Sequence, residues 1–367
     1  MIAGQIAAGL SICAWLYLLL FRGGFWRVRE QPPPRRKSSA SVAVIIPARN
    51  EADVIGAAVA SLCAQQYDGA IRLYVVDDSS TDGTGAAARA AGPADCVTVI
   101  EAPSLEPGWT GKLWALHHGV QAAREADFIL FTDADIVHGP ASVESLVARA
   151  EADNLDLASY MVLLHCRTLA ERALVPAFVF FFFMLYPPAW IRRPQRSDAG
   201  AAGGCILLRP SALRRVGGVA ALRNALIDDC TLARLVKRNG GRVWLGVTRE
   251  TRSIREYGTF GEIERMVART AYTQLRYSPL LLAGTILGMA LIYVAPVYLA
   301  ALGYWLAWAA LLLMFAVFLP IVRFYGQAWP WAAALPLIAA FYMTATLHSA
   351  WQHWRGRGGQ WKGRIQS

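Results

Sequence analysis

The sequence predicts an α/β protein with a mostly parallel sheet, accompanied by amino- and carboxyl-terminal transmembrane helices. Strand-like apolar runs alternate with helix-like segments between residues 42 and 131, which is typical of parallel sheets. Nearly continuous apolar stretches occupy residues 1–21 and 279–351, and about 20 such residues are enough to cross a bilayer. The composition, 55% hydrophobic and 17% charged, indicates a membrane-attached protein with one soluble domain.

The charge pattern and the cysteines narrow the class of protein further. The net charge of +10 is spread along the chain, with local basic clusters beside apolar segments, as suits an anionic membrane surface. The sequence has no pattern of interleaved basic and aromatic residues, so no nucleic-acid partner is predicted. The six cysteines are scattered without a Cys-X-X-Cys pair, so they indicate a reducing compartment rather than a disulfide framework or a zinc site.

Residues 1–21 are predicted to be a transmembrane anchor. Arginines follow directly in the basic, proline-rich linker of residues 22–40, and by the positive-inside rule this end of the anchor is cytoplasmic. The apolar region 279–351 is long enough for three spans, at about 279–300, 302–322 and 330–350. Three spans would place the basic tail, residues 352–367, outside, so we expect one segment to be interfacial or re-entrant.

The soluble domain is predicted to cover residues 41–260. Within it, residues 174–191 are apolar but contain three prolines, and we expect a helix in the membrane interface, with a buried core helix as the alternative. The predicted strands are Val42–Ile46, Ile71–Val76, Val97–Ile100 and Phe128–Phe131, and the predicted helices are Ala52–Gln66, Thr84–Ala91 and Lys112–Glu125. Polar clusters follow the first, second and fourth strands, at the sheet edge where ligands bind in such folds.

An acidic run, Asp133-Ala134-Asp135, ends the fourth strand. Carboxylates are costly to bury without a partner, and hard divalent cations such as Mg²⁺ and Mn²⁺ prefer oxygen ligands. These residues therefore suggest a metal site. An ordinary Asx turn with solvated aspartates is the alternative.

Four segments in order resemble a family 2 glycosyltransferase with a nucleotide-diphospho-sugar (GT-A type) fold. They are Ile46–Glu51, Asp77-Asp78, Pro107–Lys112 and Asp133–Asp135. The resemblance implies a nucleotide-sugar donor, a metal ion (Mg²⁺ or Mn²⁺) on Asp133 and Asp135, and Lys112 near the diphosphate, unless this lysine is merely solvated. The donor-binding residues that it implies are Pro47, Arg49, Glu51, Asp78, Lys112 and Asp133, of which Asp78 would bind the uracil imide.

Two later segments resemble the acceptor side of the same family. Gly203, Gly204 and Cys205 match its small-residue segment, where glycine permits close backbone approach. Asp228 and Asp229 match its acidic motif, which implies Asp229 as the general base of an inverting transfer and Asp228 beside the acceptor. A tight turn and a helix N-cap pair are the respective alternatives.

The segment Thr273-Gln-Leu-Arg276-Tyr277 lies in the predicted interfacial region of residues 261–278. It resembles the Gln-X-X-Arg-Trp motif of membrane-bound members of the family, which implies Arg276 as a diphosphate ligand and Tyr277 on the acceptor side. A membrane-flanking arginine is the alternative for Arg276. Because Thr273 and Tyr277 depart from the motif, processive synthesis is disfavoured.

The arrangement of anchor, catalytic domain and carboxyl-terminal spans resembles the hopene-associated glycosyltransferases of bacteria. That resemblance implies a multi-pass protein of the inner (cytoplasmic) membrane with a cytoplasmic catalytic domain and a lipid acceptor such as a hopanoid polyol. We therefore expect transfer of one sugar, with UDP-sugar as the expected donor, to a lipid hydroxyl. The alternatives are a processive polysaccharide synthase and a non-catalytic membrane scaffold on a transferase fold.

Overall fold

The structure is a computed structural model that describes residues 2–34, 37–123, 126–356, 360–361 and 364–365. Within those residues the chain divides into two compact units. One comprises the described residues of 2–29, Cys166–Ala189 and 256–361, and the other those of 30–165, Trp190–Arg255 and 364–365. Outside the described residues lie Arg35 and Arg36 of the predicted linker, Glu125 at the end of a predicted helix, and Arg357 and Lys362 of the predicted basic tail.

The second unit is built on an eight-stranded sheet with the order β3-β2-β1-β4-β7-β6-β8-β5. Parallel pairs join β1 to β2 and β4, β2 to β3, and β6 to β8, whereas β7 runs antiparallel to β4 and β6, and β5 antiparallel to β8. The sheet is therefore mixed but mostly parallel, as predicted. The strands are β1 (Val42–Ala48), β2 (Ile71–Asp77), β3 (Val97–Glu101), β4 (Phe128–Thr132), β5 (Ile136–Val137), β6 (Leu157–Leu163), β7 (Cys205–Leu208) and β8 (Val243–Ser253), followed by the short strands β9 (Gln360–Trp361) and β10 (Arg364–Ile365).

The helices continue the alternation that the sequence predicts. In chain order they are α1 (Ile2–Leu20), α2 (Ala52–Cys63), α3 (Thr84–Ala90), α4 (Gly111–Ala122), α5 (Ser142–Ala152), α6 (Leu169–Leu185), α7 (Pro188–Ile191), α8 (Pro210–Arg215), a 3₁₀ helix (Val219–Leu222), α9 (Asp228–Arg238), α10 (Phe260–Gln274), α11 (Pro279–Met289), a π-helix (Ala290–Val294), α12 (Ala295–Ala301), α13 (Trp305–Phe324), α14 (Pro330–Ala333) and α15 (Leu335–Trp354).

The central strands are buried along their whole length. Every residue of β1 and of β4 is buried, which explains why both strands are continuous apolar runs rather than alternating ones. Helix α4 packs closely on this layer, because a Cβ atom at Gly119 would collide with the side chain of Ile45. That packing, together with the side-chain cap that Thr110 provides to Leu113 N at 3.3 Å, fixes where α4 begins.

The first unit contains the apolar helices. Among the described residues, four helices are long and apolar enough to cross a membrane: Ile2–Leu20, Leu169–Ile191, Pro279–Ala301 and Trp305–Phe324. Three of them coincide with predicted segments 1–21, 279–300 and 302–322. The third predicted carboxyl-terminal span, 330–350, forms α14 and α15, which are not among the four.

Helix α6 begins earlier than the predicted segment 174–191 and belongs to the first unit rather than to the sheet unit. Its start is set by a capping box in which Thr168 and Glu171 bond to each other's main chain. The carboxylate of Glu171 is fully buried and also accepts main-chain N–H groups from Arg167, at 2.8 Å, and from Tyr257, at 2.7 Å. This first turn is polar, so the apolar pattern that predicted a helix at residues 174–191 does not include it.

Candidate active site

The polar residues that follow β1, β2 and β4 meet at one edge of the sheet, because these three strands are parallel neighbours. Arg49 follows β1 and donates a hydrogen bond to the main-chain carbonyl of Asp78, which follows β2. Its guanidinium also lies 3.6 Å from the Asp78 carboxylate, and Asp78 is only 1% exposed. Two of the predicted donor-binding residues are thus paired with each other.

A second cluster joins the end of β1 to the end of β4. Arg255 Nη2 donates to both carboxylate oxygens of Glu51, at 2.8 and 2.7 Å, and Arg255 Nε lies 3.6 Å from Asp135 Oδ2. The same Asp135 oxygen accepts a hydrogen bond from Ser253 Oγ at the end of β8. Burial, followed by the charge of Asp133, raises the pKa of Asp135, while Arg255 and Ser253 act in the opposite direction.

Lys112 occupies the first turn of α4 and contacts two of the predicted acidic residues. Its Nζ lies 2.8 Å from Asp133 Oδ1 and 3.9 Å from Asp228 Oδ2. Burial alone would lower the pKa of Lys112, but the two carboxylates outweigh it and the pKa is raised above its ordinary value. Lys112 is therefore a fixed positive charge between the end of β4 and the start of α9.

Asp229 is held by main-chain N–H groups at the start of α9. Gly203 N donates to its Oδ2 at 2.8 Å, and Cys230 N donates to its Oδ1 at 2.6 Å. Burial, followed by the neighbouring charge of Asp228, raises the pKa of Asp229 to about 6, and Lys112 opposes that rise. A carboxylate with a pKa near neutrality is suited to accept a proton during catalysis.

One cleft brings several of these residues together. The predicted site residues that line it are Pro47, Lys112, Asp133, Gly203, Asp228 and Asp229. The rest of its wall is formed by Leu116, Phe131, Thr132, Ile206, Leu222 and Leu232. The acidic residues of α9 thus face the lysine and aspartate at the carboxyl end of β4. A positive charge, Lys112, and a carboxylate with a raised pKa, Asp229, thus border the same cleft.

Three predicted residues on the acceptor side are placed differently from one another. Gly203 lines the cleft, whereas Gly204 directs its carbonyl to Thr132 Oγ1, 2.9 Å away. The side chain of Cys205 is fully buried in the hydrophobic core, where burial raises the pKa of its thiol to about 12. The side chain of Cys205, the first residue of β7, therefore points into the core, so a role of this residue on the acceptor side stays a prediction about its main chain.

Arg276 and Tyr277 belong to the first unit, at the end of α10. Both have left-handed backbone conformations, with φ of 53° and 55°, which is uncommon for residues with a side chain. Tyr272 donates its hydroxyl hydrogen to the carbonyl of Tyr277 at 2.8 Å, and the ring of His353 stacks on Tyr277 with centroids 4.3 Å apart. Their roles toward donor and acceptor stay predictions from the sequence.

The donor set at the end of β4 fits a cation that takes most of its ligands from a substrate. Among the described residues no cluster of three histidine, cysteine or acidic side chains could hold a metal ion. Asp133 and Asp135 offer two carboxylates on one turn, and Mg²⁺ in proteins is commonly bound by one or two carboxylates, substrate phosphates and water. Asp133 and Asp135 could therefore hold such an ion only together with a bound diphosphate.

Sequence reasoning missed two residues of this site, Ser253 and Arg255. Ser253 is the last residue of β8 and Arg255 lies two residues beyond it, so their position at the end of a strand was the available signal. What the sequence does not reveal is that β5, just beyond Asp135, pairs with the end of β8, Ile136 lying opposite Ser253. That pairing brings together residues separated by about 120 positions.

Comparisons with known proteins agree with the fold. Residues 43–217 match the model of Glycosyl transferase family 2. The 4,4'-diaponeurosporenoate glycosyltransferase of Staphylococcus aureus (strain bovine RF122 / ET3-1) is 38% identical over 96 residues, which are 26% of this chain and 24% of the relative. The glucosyl-3-phosphoglycerate synthase of Mycolicibacterium paratuberculosis (strain ATCC BAA-968 / K-10) is 35% identical over 114 residues, 31% and 33% of the two chains.

The chain spans about a quarter to a third of the length of these two curated relatives. A solved structure resembles it over a greater length: the mannosyltransferase PcManGT from Pyrobaculum calidifontis, in complex with GDP-Man and Mn²⁺. That likeness covers 95% of this chain and 96% of the other, with a TM-score of 0.52 and 20% sequence identity. The fold is accordingly the GT-A nucleotide-sugar transferase fold that the sequence motifs predict.

Proposed function

We propose that this chain, whose residues 43–217 form a glycosyltransferase family 2 domain, transfers one sugar from a nucleotide-sugar donor to a lipid hydroxyl with inversion. The observation that carries the proposal is the cleft shared by the Lys112–Asp133 pair and Asp229. It places a cation suited to a diphosphate and a carboxylate suited to a proton acceptor at the walls of the same space.

The donor side of the proposed reaction uses the residues that follow β1, β2 and β4. Asp78, buried and paired with Arg49, would recognise the nucleobase, and UDP-sugars are the expected donors. Lys112 would stabilise negative charge on the departing nucleoside diphosphate. A divalent metal ion, Mg²⁺ or Mn²⁺, would be held by Asp133 and Asp135 and would supply charge neutralisation at the diphosphate when bound.

The acceptor side depends on Asp229. Its carboxylate would take the proton from the acceptor hydroxyl, and the freed oxygen electron pair would form the bond to the anomeric carbon. The bond from that carbon to the diphosphate oxygen breaks in the same displacement, so the configuration inverts. With a pKa raised to about 6, Asp229 is ionised at neutral pH and yet is more basic than an ordinary aspartate.

A membrane lipid is the proposed acceptor because the same chain carries four helices long and apolar enough to span a bilayer. These helices expose large apolar side chains, including Leu280, Trp305 and Leu312. The relative from Staphylococcus aureus is named for glycosylation of 4,4'-diaponeurosporenoate, which favours an acceptor other than a growing polysaccharide. A hopanoid polyol in a bacterial inner membrane, with the catalytic domain on the cytoplasmic side, is the specific form of this proposal.

The proposal is tested by incubating the purified full-length protein with radiolabelled UDP-glucose, UDP-N-acetylglucosamine or GDP-mannose, with Mn²⁺ and membrane lipid extract. The proposal expects label in the organic phase and a product larger than the lipid by one sugar, identified by mass. A ladder of many sugars would indicate a processive synthase instead. No transfer from any donor, together with no metal-dependent nucleotide binding, would favour a non-catalytic scaffold.

A further inference from the structure

Arg223, in the segment between the 3₁₀ helix and α9, makes several contacts with the loop that precedes α4. Its Nη2 donates to the carbonyl of Pro107 at 2.8 Å, and the same nitrogen lies 3.8 Å from Glu106 Oε2. Its guanidinium carbon stands 5.2 Å from the ring centre of Trp109, within the range of a cation–π contact. Three different kinds of interaction thus converge on one loop.

The neighbouring residue reinforces the connection. The amide of Asn224, oriented with its nitrogen toward the carbonyl groups, donates to Gly108 O at 2.9 Å. Gly108 has a left-handed φ of +82°, and a Cβ atom there would stand 3.5 Å from Arg223 Nε and 3.6 Å from the side-chain amide group of Asn224. A glycine at this position therefore supplies the backbone conformation that lets the loop lie against Arg223 and Asn224.

The loop is in turn attached to α4 through aromatic rings. Trp109 lies 5.2 Å from Trp114 and 4.9 Å from His117, measured between ring centres, and both partners are on α4. The indole N–H of Trp114 donates to Pro103 O at 2.9 Å, which fixes the beginning of the same loop. A displacement of the loop would therefore be transmitted to the first turn of α4, which carries Lys112.

Arg223 lies five residues before Asp228, and Trp109 lies three residues before Lys112. The side chains of Leu116 on α4 and of Leu222 beside Arg223 both line the cleft. The contacts of Arg223 consequently join the polypeptide segment that carries Lys112 to the segment that carries Asp229. We use the term "Arg223 bridge" for the contacts of Arg223 and Asn224 with residues 106–109.

We propose that Arg223 is a positioning residue that sets the separation between Lys112 and Asp229 through this bridge. The inference rests on the proposed function, because it assigns the bridge a role in sugar transfer. A purely local role in folding is the competing explanation. The two differ in what they predict for residues 104–111 when only Arg223 is changed.

Amide hydrogen exchange of the full chain in detergent separates these explanations without any activity measurement. Arg223→Ala should accelerate exchange by several-fold both in residues 222–229 and across the bridge in residues 104–111. Arg215→Ala is the matched control, because Arg215 is 43% exposed against 46% for Arg223, yet its partner at 2.7 Å, Asp156, lies outside both segments of the bridge. Faster exchange confined to residues 222–229 would overturn the bridge.

The kinetic arm uses the transfer assay. Arg223→Ala should lower kcat by roughly 10- to 100-fold, since small misplacements of catalytic groups have effects of that size, while nucleotide affinity and the thermal midpoint stay near those of Arg215→Ala. Arg223→Lys keeps the charge near Glu106 but lacks the planar guanidinium, so its kcat should lie between those of the wild type and Arg223→Ala. Unchanged kcat in Arg223→Ala would contradict the positioning role. Absence of transfer in the wild type would instead contradict the proposed function, and the hydrogen-exchange experiment would then decide whether the bridge exists.

Discussion

The main-chain N–H of Gly203 donates a hydrogen bond of 2.8 Å to Oδ2 of Asp229 and so connects the turn before β7 to the start of α9. A Cβ atom at position 203 would stand 3.2 Å from that oxygen and 3.3 Å from Lys112 Nζ. Glycine therefore allows Asp229 and Lys112 to approach the same point of the backbone. This close approach explains the small residue better than a tight turn does.

The first prediction concerns Gly203→Ala. The added methyl group would displace the Asp229 carboxylate by a few tenths of an ångström or more, and we expect kcat for sugar transfer to fall by about 10-fold or more. Steady-state kinetics at saturating donor would measure the effect.

Gly204→Ala is the matched control for that substitution. Its Cβ would lie 3.4 Å from the side chain of Ile136 and 3.6 Å from that of Val162, and Asp229 is not among its nearest neighbours. If the two variants lost activity equally, the close approach at Gly203 would not be the reason for its effect.

The second prediction is a pH dependence set by Asp229. Its pKa is raised to about 6, and the base must be ionised to accept a proton, so kcat should fall as the pH decreases through about 6. The groups that face it are Asp228, which raises the pKa, and Lys112, which lowers it. Asp228→Asn should therefore move the acidic limb of the kcat profile to lower pH. A limb that stayed in place or moved upward would contradict the assignment of this titration to Asp229.

The third prediction concerns the two carboxylates at the end of β4. Asp135→Ala should weaken nucleotide binding in the presence of Mn²⁺ by about 10-fold or more, because the ion would lose one of its two protein carboxylates. Binding measured by calorimetry without a divalent ion serves as the control and should change little. Equal affinities of wild type and variant in the presence of Mn²⁺ would exclude Asp135 as a ligand.

The sequence predicted the amino-terminal half of the sheet well because its strands are continuous apolar runs ended by polar motifs. The prediction Phe128–Phe131 differs from β4 by one residue, and the first two strands were likewise placed correctly. The GT-A fold is confirmed by the comparisons, and residues 43–217 match the model of Glycosyl transferase family 2. The metal ligands, the base and the donor contacts stay predictions about the roles of residues that the fold brings close together.

The remaining features depend on contacts between distant parts of the chain. Arg255 reaches Glu51 across more than 200 positions, and Arg223 reaches Pro107 across more than 100. No local sequence pattern predicts such distant partners. The sequence also did not reveal that the Cys205 side chain points into the core. All four residues of β7 are buried, so its apolar run does not show which side chains face the core.

The account depends most directly on Asp229, and the decisive measurement is single-sugar transfer to lipid by Asp229→Asn compared with the wild type. The amide keeps nearly the same size but cannot take the acceptor proton, so transfer should fall by at least 1,000-fold, on the order of the largest effects of general-base removal. Nucleotide-sugar affinity in Mn²⁺ should stay within about threefold of the wild type, since the base acts only on the acceptor. Transfer by Asp229→Asn at the wild-type rate would contradict the account.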